Sequence, residues 1–315
     1  MRAVGSNLFR GGGLTGFFPL KCREVLTKAG WGVTMSMKTI LVPMERHDSN
    51  PSALETALLL ARKYDSYIEG LALRWATADF VLGDMAVVFP PESYIREVAA
   101  EAQRARQTFE SFMQKHDVPR STENTRSLAF GWLDEPLEGE AVVGSHGRVF
   151  DLIVMNRPDA QSTGLYLRAL ESGLFESGRP MLLSPPSPPE RIGTNVLIPW
   201  NGSTEQACAV ALAMPLLEKA GRVTVLTVTG GTGVPGPSAE QMMRYLRRNG
   251  IPAEPRTVTL NGKNTGEAIL AAAQGLSCDL LIKGAFTQSR LRQMIFGGAT
   301  QHVMANATLP VLLAH

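Results

Sequence analysis

Two pairs of matched segments constrain this chain more than any other feature. Asp151-Leu-Ile-Val is echoed by Asp279-Leu-Leu-Ile, and Arg179-Pro180-Met-Leu-Leu183 is echoed by Leu309-Pro310-Val-Leu-Leu313. Between the repeated pieces, short apolar runs of strand length alternate with segments whose apolar residues recur at helical spacing. Asn195-Val-Leu-Ile198 ends at Pro199 as Thr39-Ile-Leu-Val42 ends at Pro43. A strand buried on both faces reads as a continuous apolar run, and such runs alternating with helices predict a parallel sheet covered on both sides. The expected fold class is therefore α/β: two doubly wound, Rossmann-like parallel-sheet domains in tandem.

The expected division follows the composition. Residues 1–36 hold Gly11-Gly12-Gly13 and scattered bases, and are read as a disordered tail or a start codon placed too early. Residues 37–185 are the first domain, 186–194 a proline-rich linker, and 195–315 the second domain. In the first domain, Ser52 with Glu55 predicts a capping box. The residues from Trp75 to Pro91 read as a long loop, and Pro136 to Val143 as a short helix. In the second domain, Thr204 to Lys219 reads as one helix.

Charge and cysteine usage exclude several classes. In 315 residues the net charge is +2 and charged residues are 19%, which argues against a dedicated nucleic-acid binder. Cys22, Cys208 and Cys278 are widely spaced and fit neither a disulfide framework nor a zinc site. No uninterrupted apolar run approaches the roughly 20 residues of a membrane helix. The expectation is a cytoplasmic protein. His47, His116, His146, His302 and His315 are dispersed without metal-ligand spacing, and no catalytic set is visible.

One segment points to a ligand. From Asp279 to Thr300 a short apolar run turns at Gly284, passes through a polar loop, and reaches Gly297-Gly298-Ala299-Thr300 at the start of a helical pattern. Glycine lets a backbone come close to an anion, and the free N–H groups of a helix start point at negative charge. In open α/β sheets ligands bind beyond the carboxyl ends of the strands, where the strand order reverses. Lys283 is a candidate anion partner, and Trp200 reads equally as a stacking or a packing residue. Gly144-Ser-His-Gly147 precedes a strand rather than following one, so it is read as a helix-ending turn.

These residues resemble the universal stress protein family in its tandem form. The resemblance spans about Lys38 to His315 and rests on Leu41-Val-Pro43, on Leu197-Ile-Pro-Trp-Asn-Gly-Ser203, on the segment from Asp279, and on the closing strands after Pro180 and Pro310. The family's nucleotide pattern is Gly, two residues, Gly, nine residues, then Gly with Ser or Thr. Gly284 matches its first glycine and Gly297 its third. Thr287 stands at the second glycine and Gly298 at the Ser/Thr position, while Asn201 replaces the family's first-strand Asp. The resemblance implies ATP or another adenine nucleotide as ligand, with Mg²⁺ only alongside it. The implied binding set is Asn201, Gly284, Thr287, Gly297, Gly298 and Ala299. In the first half Asn156 replaces the first glycine, and Leu167 and Arg168 occupy the later glycine places, so that half is expected to bind no nucleotide. The expected role is regulatory, in stress response. The two halves are expected to pair through their closing strands, and a homodimer is a further option. Two alternatives stay open: an interaction module without ligand, and a weak Mg-dependent ATP hydrolase.

Overall fold

The computed structural model describes residues 37–45, 51–74, 81–82, 86–87, 91–121, 127–134, 139, 141–231, 233–285 and 298–315. The first half runs β1 (Thr39–Met44), α1 (Ser52–Tyr64), β2 (Tyr67–Ala72), β3 (Val81–Leu82), β4 (Ala86–Val87), α2 (Glu92–Lys115), β5 (Ala129–Trp132), α3 (Val142–Gly147), β6 (Leu152–Asn156), α4 (Gly164–Glu176) and β7 (Met181–Ser184). The second half runs β8 (Asn195–Pro199), α5 (Thr204–Leu212), α6 (Met214–Glu218), β9 (Arg222–Thr229), α7 (Ala239–Arg248), β10 (Ala253–Thr259), α8 (Thr265–Gly275), β11 (Leu280–Gly284), α9 (Gly298–Asn306) and β12 (Val311–Ala314).

Ten of these strands form one sheet in the order β10-β9-β8-β11-β12-β7-β6-β1-β2-β5. Each half contributes five strands in the same internal order, so the strand order reverses between β8 and β11 and again between β6 and β1. All neighbours are parallel except β12 and β7, which pair antiparallel with Val311 opposite Leu183 and Leu313 opposite Met181. The closing strands therefore join the halves into a continuous sheet. Side chains alternate across the pleat into two cores. Ile40, Val42, Ile198 and Ile282 face α1, α2, α5, α6 and α7; Leu41, Ile153, Leu197 and Leu281 face α3, α4, α8 and α9. Among the described residues no helix is long and apolar enough to cross a membrane.

The repeated aspartates have a common job. Asp151 Oδ2 accepts from the backbone N–H groups of Lys38 (2.7 Å) and Thr39 (3.1 Å). Asp279 Oδ1 accepts from those of Thr194 (2.8 Å) and Asn195 (2.9 Å). In each half, the start of the fourth strand thus fixes the start of the first.

Several local expectations are corrected. The first strand β1 runs through Pro43 to Met44, while β8 ends on Pro199 itself; β6 pairs only Ile40 and Leu41 of β1, and β11 only Val196 and Leu197 of β8. The missing N–H of Pro43 or Pro199 falls beyond that pairing. The predicted capping box at Ser52 does not form: Pro51 is the N-cap, and the buried Ser52 hydroxyl donates to the Pro185 carbonyl at 2.6 Å. The predicted helix from Thr204 breaks at Ala213, where Pro215 enters the first turn of α6. The predicted loop from Trp75 lies mostly outside the described residues, but Val81–Leu82 and Ala86–Val87 pair within it. A short helix spans Val142–Gly147, so Gly144 and Gly147 sit inside it, while residues 136–138 and 140 of the expected Pro136 to Val143 helix lie outside the described residues. A Cβ on Gly144 would lie 2.4 Å from Ser172 Oγ and 2.7 Å from the Ser172 carbonyl oxygen. That glycine permits close packing of α3 on α4; it neither ends a helix nor cradles an anion.

Candidate functional site

The reversal between β8 and β11 places the exits of both strands side by side in the second half. Three segments meet there: the loop from Trp200 to Ser203, the first turn of α5, and the first turn of α9. Ser203 begins α5 because its hydroxyl accepts from the Gln206 N–H at 3.2 Å. The Gln206 side chain, 2% exposed, then reaches the sheet. Its Nε2 donates to the Ile282 carbonyl at 3.0 Å and its Oε1 accepts from the Gly284 N–H at 2.9 Å. One amide therefore continues the ladder of β11 where no strand lies.

Gly284 is buried, and its bare Cα faces α5. A Cβ there would stand 2.4 Å from the Gln206 nitrogen and 2.5 Å from the Glu205 carbonyl carbon. Its N–H is held by Gln206, so the contribution of Gly284 is close approach to a helix start. Gly298 is different. It opens α9 with φ +36° and is exposed, and a Cβ there would meet no described atom within 4 Å. Ala299 is half-buried beside it and Thr300 is buried. The first N–H groups of a helix have no intrahelical acceptor, so this is an accessible start of positive potential. Thr287 and Gly297, together with Arg290 and Arg292, lie outside the described residues.

Asn201 is half-exposed, and its side chain turns back on its own loop. Its Oδ1 accepts from the Ser203 N–H at 3.1 Å, and its carbonyl accepts from the Val234 N–H at 3.1 Å. Gly202, at φ +80°, lets the chain make that turn. Trp200 is a packing residue: it is buried in the core, and its indole N–H donates to the Pro237 carbonyl at 2.7 Å.

Lys283 carries the main electrostatic feature. It is 9% exposed, lies on the α8/α9 face, and its Nζ donates to Thr300 Oγ1 at 2.8 Å and to the Gly284 carbonyl at 2.9 Å. Burial pushes the pKa of the ammonium down to about 8, while the Glu205 carboxylate pulls it upward. A buried Glu205 oxygen, Oε2, has no hydrogen-bond partner among the described residues. The pH dependence follows from proton counts. Between about pH 8 and 10.5 the folded lysine loses its proton while the unfolded one keeps it, so the unfolded state binds more protons and stability rises with pH. At about 1.4 kcal/mol per pH unit, wild type gains about 3 kcal/mol relative to Lys283→Met across that window. Urea denaturation of both proteins from pH 7 to 10.5 measures the difference; parallel profiles would contradict it.

The equivalent place in the first half is filled by protein. Asn156 ends β6, and its Oδ1 accepts from the Ala53 N–H of α1 at 3.0 Å and from the Ser184 hydroxyl at 3.0 Å. Its carbonyl accepts from the buried Tyr166 hydroxyl at 2.7 Å. Thr163 caps α4 and also donates to Glu45. Leu167, expected to block this hollow, is instead 42% exposed, and Arg168 is exposed too. Helical phase turns Tyr166 inward in its place.

Sequence reasoning missed Gln206, Glu205 and Thr300. Ser203 followed three residues later by Gln206 signals a helix start, but that glutamine spends its side chain on the sheet. Thr300, two places after Gly298, is buried, and its hydroxyl accepts from the Lys283 ammonium.

Comparisons with known proteins bear on the same half. Residues 194–315 match the model of the universal stress protein family. No curated protein matches the chain. Among solved structures, a universal stress protein from Archaeoglobus fulgidus DSM 4304 superposes with a TM-score of 0.63 at 14% identity, covering 89% of this chain and 96% of that one. A functionally unknown protein from Pseudomonas aeruginosa PAO1 gives a TM-score of 0.49 at 13% identity, covering 88% and 92%. At such identities the first likeness is one of fold.

Proposed function

We propose that this chain, whose residues 194–315 belong to the universal stress protein family, is a cytoplasmic stress-response regulator that binds one adenine nucleotide in its C-terminal half. The observation that carries this reading is the exposed start of α9 at Gly298 with the buried Lys283 ammonium held on Thr300 in its first turn. A phosphate there would meet helix N–H groups and a positive charge together. The role is regulatory rather than catalytic, and the first half acts as a structural partner. Its own strand exit supports that assignment, because Asn156, Ser184 and Tyr166 occupy the space. The set Asn201, Gly284, Thr287, Gly297, Gly298 and Ala299 is assigned to the nucleotide loop, with Gly298 and Ala299 nearest the phosphate and Gly284 and Asn201 shaping the floor.

Gly298→Asp tests the reading. Asp tolerates a positive φ and favours a helix start, so the fold is retained, while its charge repels phosphate. Native mass spectrometry of the full chain with ATP is expected to show one nucleotide on wild type and none on Gly298→Asp, with matching melting curves. Equal loading of the two proteins would remove the assignment. A second reading, an interaction module without ligand, is favoured by the inward-folded Asn201 side chain. Absence of nucleotide from both proteins supports it.

A further inference from the structure

Arg157 follows β6, at the strand exit that the first half has closed, and its side chain works in the other half. Its backbone N–H donates to the Ser184 carbonyl at 3.2 Å, next to Asn156, which accepts from the Ser184 hydroxyl. From there its Nη1 donates to the carbonyls of Ala305 at 2.6 Å and Ala307 at 3.2 Å. Those carbonyls lie at the C-terminal end of α9. The last carbonyls of a helix have no intrahelical partner and carry negative potential, so a cation there is favourable. Helices α1, α2 and α7 supply one themselves, from Arg62 and Lys63, Lys115, and Arg247 and Arg248. Where α4 and α8 lack a base in the last turn, a donor of the same half reaches their end. Arg148 Nε donates to the Glu176 carbonyl at 3.1 Å, and Asn195 Nδ2 to the Leu276 carbonyl at 2.6 Å. Helix α9 has no base in its last turn either, and its cation comes from the other half.

We infer that the first half braces the last helix of the second: the Arg157 guanidinium is the C-terminal cap of α9, so the order of that helix is set from across the β12–β7 seam. Helix α9 spans nine residues, and helices that short are marginal in water without tertiary support. A hydrogen bond from a charged donor is roughly twice as strong as a neutral one. Among the described residues Arg157 pairs with no carboxylate, so its charge is spent on these two carbonyls. The repeat returns the contact in a weaker form. The His315 ring, just beyond β12, packs edge-on against Phe175 in the last turn of α4, with centroids 4.8 Å apart, and its Nδ1 bonds the Ala285 carbonyl at 3.0 Å. Each strand exit therefore leans on the last helix of the other half. The brace needs no ligand at either exit, and it gives the closed exit of the first half a task of its own.

Hydrogen exchange of the full chain, read by mass spectrometry, tests the brace in wild type, Arg157→Met and Arg157→Lys. Arg157→Met keeps an apolar stem and loses the charge. Its α9 amides are expected to exchange about tenfold faster or more, while those of α4 and α8 stay within about twofold of wild type. Arg157→Lys keeps the charge without the planar fork and is expected to fall between the two. Exchange in α9 as slow in Arg157→Met as in wild type overturns the inference. So does an equal acceleration in α4 and α8, which reports a general loss of stability instead of a local one. Should Arg157→Met fail to melt cooperatively, Arg157→Lys decides: faster exchange confined to α9 supports the brace, and the wild-type pattern overturns it.

Discussion

Gly284→Val is expected to destabilise the C-terminal half by about 4 kcal/mol, as a steric term of about 1–3 kcal/mol added to the loss of two buried hydrogen bonds. The physical reason is local. The added Cβ would stand 2.4 Å from the Gln206 nitrogen, 2.5 Å from the Glu205 carbonyl carbon and 2.7 Å from the Gln206 Cα. All three are backbone atoms of a helix, so no rotamer change relieves the contact. Helix α5 must move away, and the Gln206 amide then loses the Ile282 carbonyl and the Gly284 N–H. Against a typical total of about 5–15 kcal/mol, that loss is a large fraction. Urea denaturation measures it, and a loss below about 1 kcal/mol would show that Gly284 is not pressed on α5. For the same reason Gly284→Val cannot serve as a binding control, since lost binding would report lost structure.

Asp279→Ala is expected to cost about 3 kcal/mol, from two backbone N–H groups that lose a charged acceptor. Asp279 is 7% exposed, and its second oxygen lies 3.4 Å from the Arg191 guanidinium. Asp151→Ala removes the matching pair of bonds at Lys38 and Thr39, but Asp151 is only half-buried. Its loss is therefore expected to be smaller, because water can serve the freed N–H groups there. Asp279→Asn keeps one carbonyl acceptor and is expected to lose less than the alanine variant. Denaturation midpoints for the three variants give the ranking; an Asp151→Ala loss equal to or larger than that of Asp279→Ala would contradict it.

Much of the architecture is legible in the sequence because it follows from local pattern. Apolar runs such as Leu280 to Ile282 and helix faces such as that of α1 are set by periodicity, and the Asp-headed and Pro-headed repeats mark corresponding strands. The failures occur where a distant contact decides. Whether a strand can include Pro43 depends on how far β6 extends beside it. The place of α3 depends on Gly144 finding α4, and no window around Gly144-Ser-His-Gly147 contains Ser172. The split of the helix at Pro215 was readable, since proline interrupts a helix interior.

The candidate site divides in the same way. The glycines and Asn201 are visible as motif positions, and Lys283 as a charge at a strand end. What they touch is not visible. Gln206 reaches β11 across a sequence distance that no motif records. Asn156 is legible as a lost glycine but not as an acceptor for the start of α1. Tyr166, rather than the neighbouring Leu167, turns inward, because a one-residue shift on a helix rotates the side chain by about 100°.

The central claim is that a single phosphate-binding corner survives, at the start of α9, and that its counterpart at Asn156 is closed by protein. A crystal structure of the full chain grown with ATP tests this most directly. The account predicts one nucleotide per chain, its phosphates against Gly298 and within hydrogen-bond reach of the Lys283 ammonium, with Asn156 still bonded to Ser184 and the start of α1. Phosphates found at the exit of β6, or a start of α9 without nucleotide at saturating ATP, would contradict it.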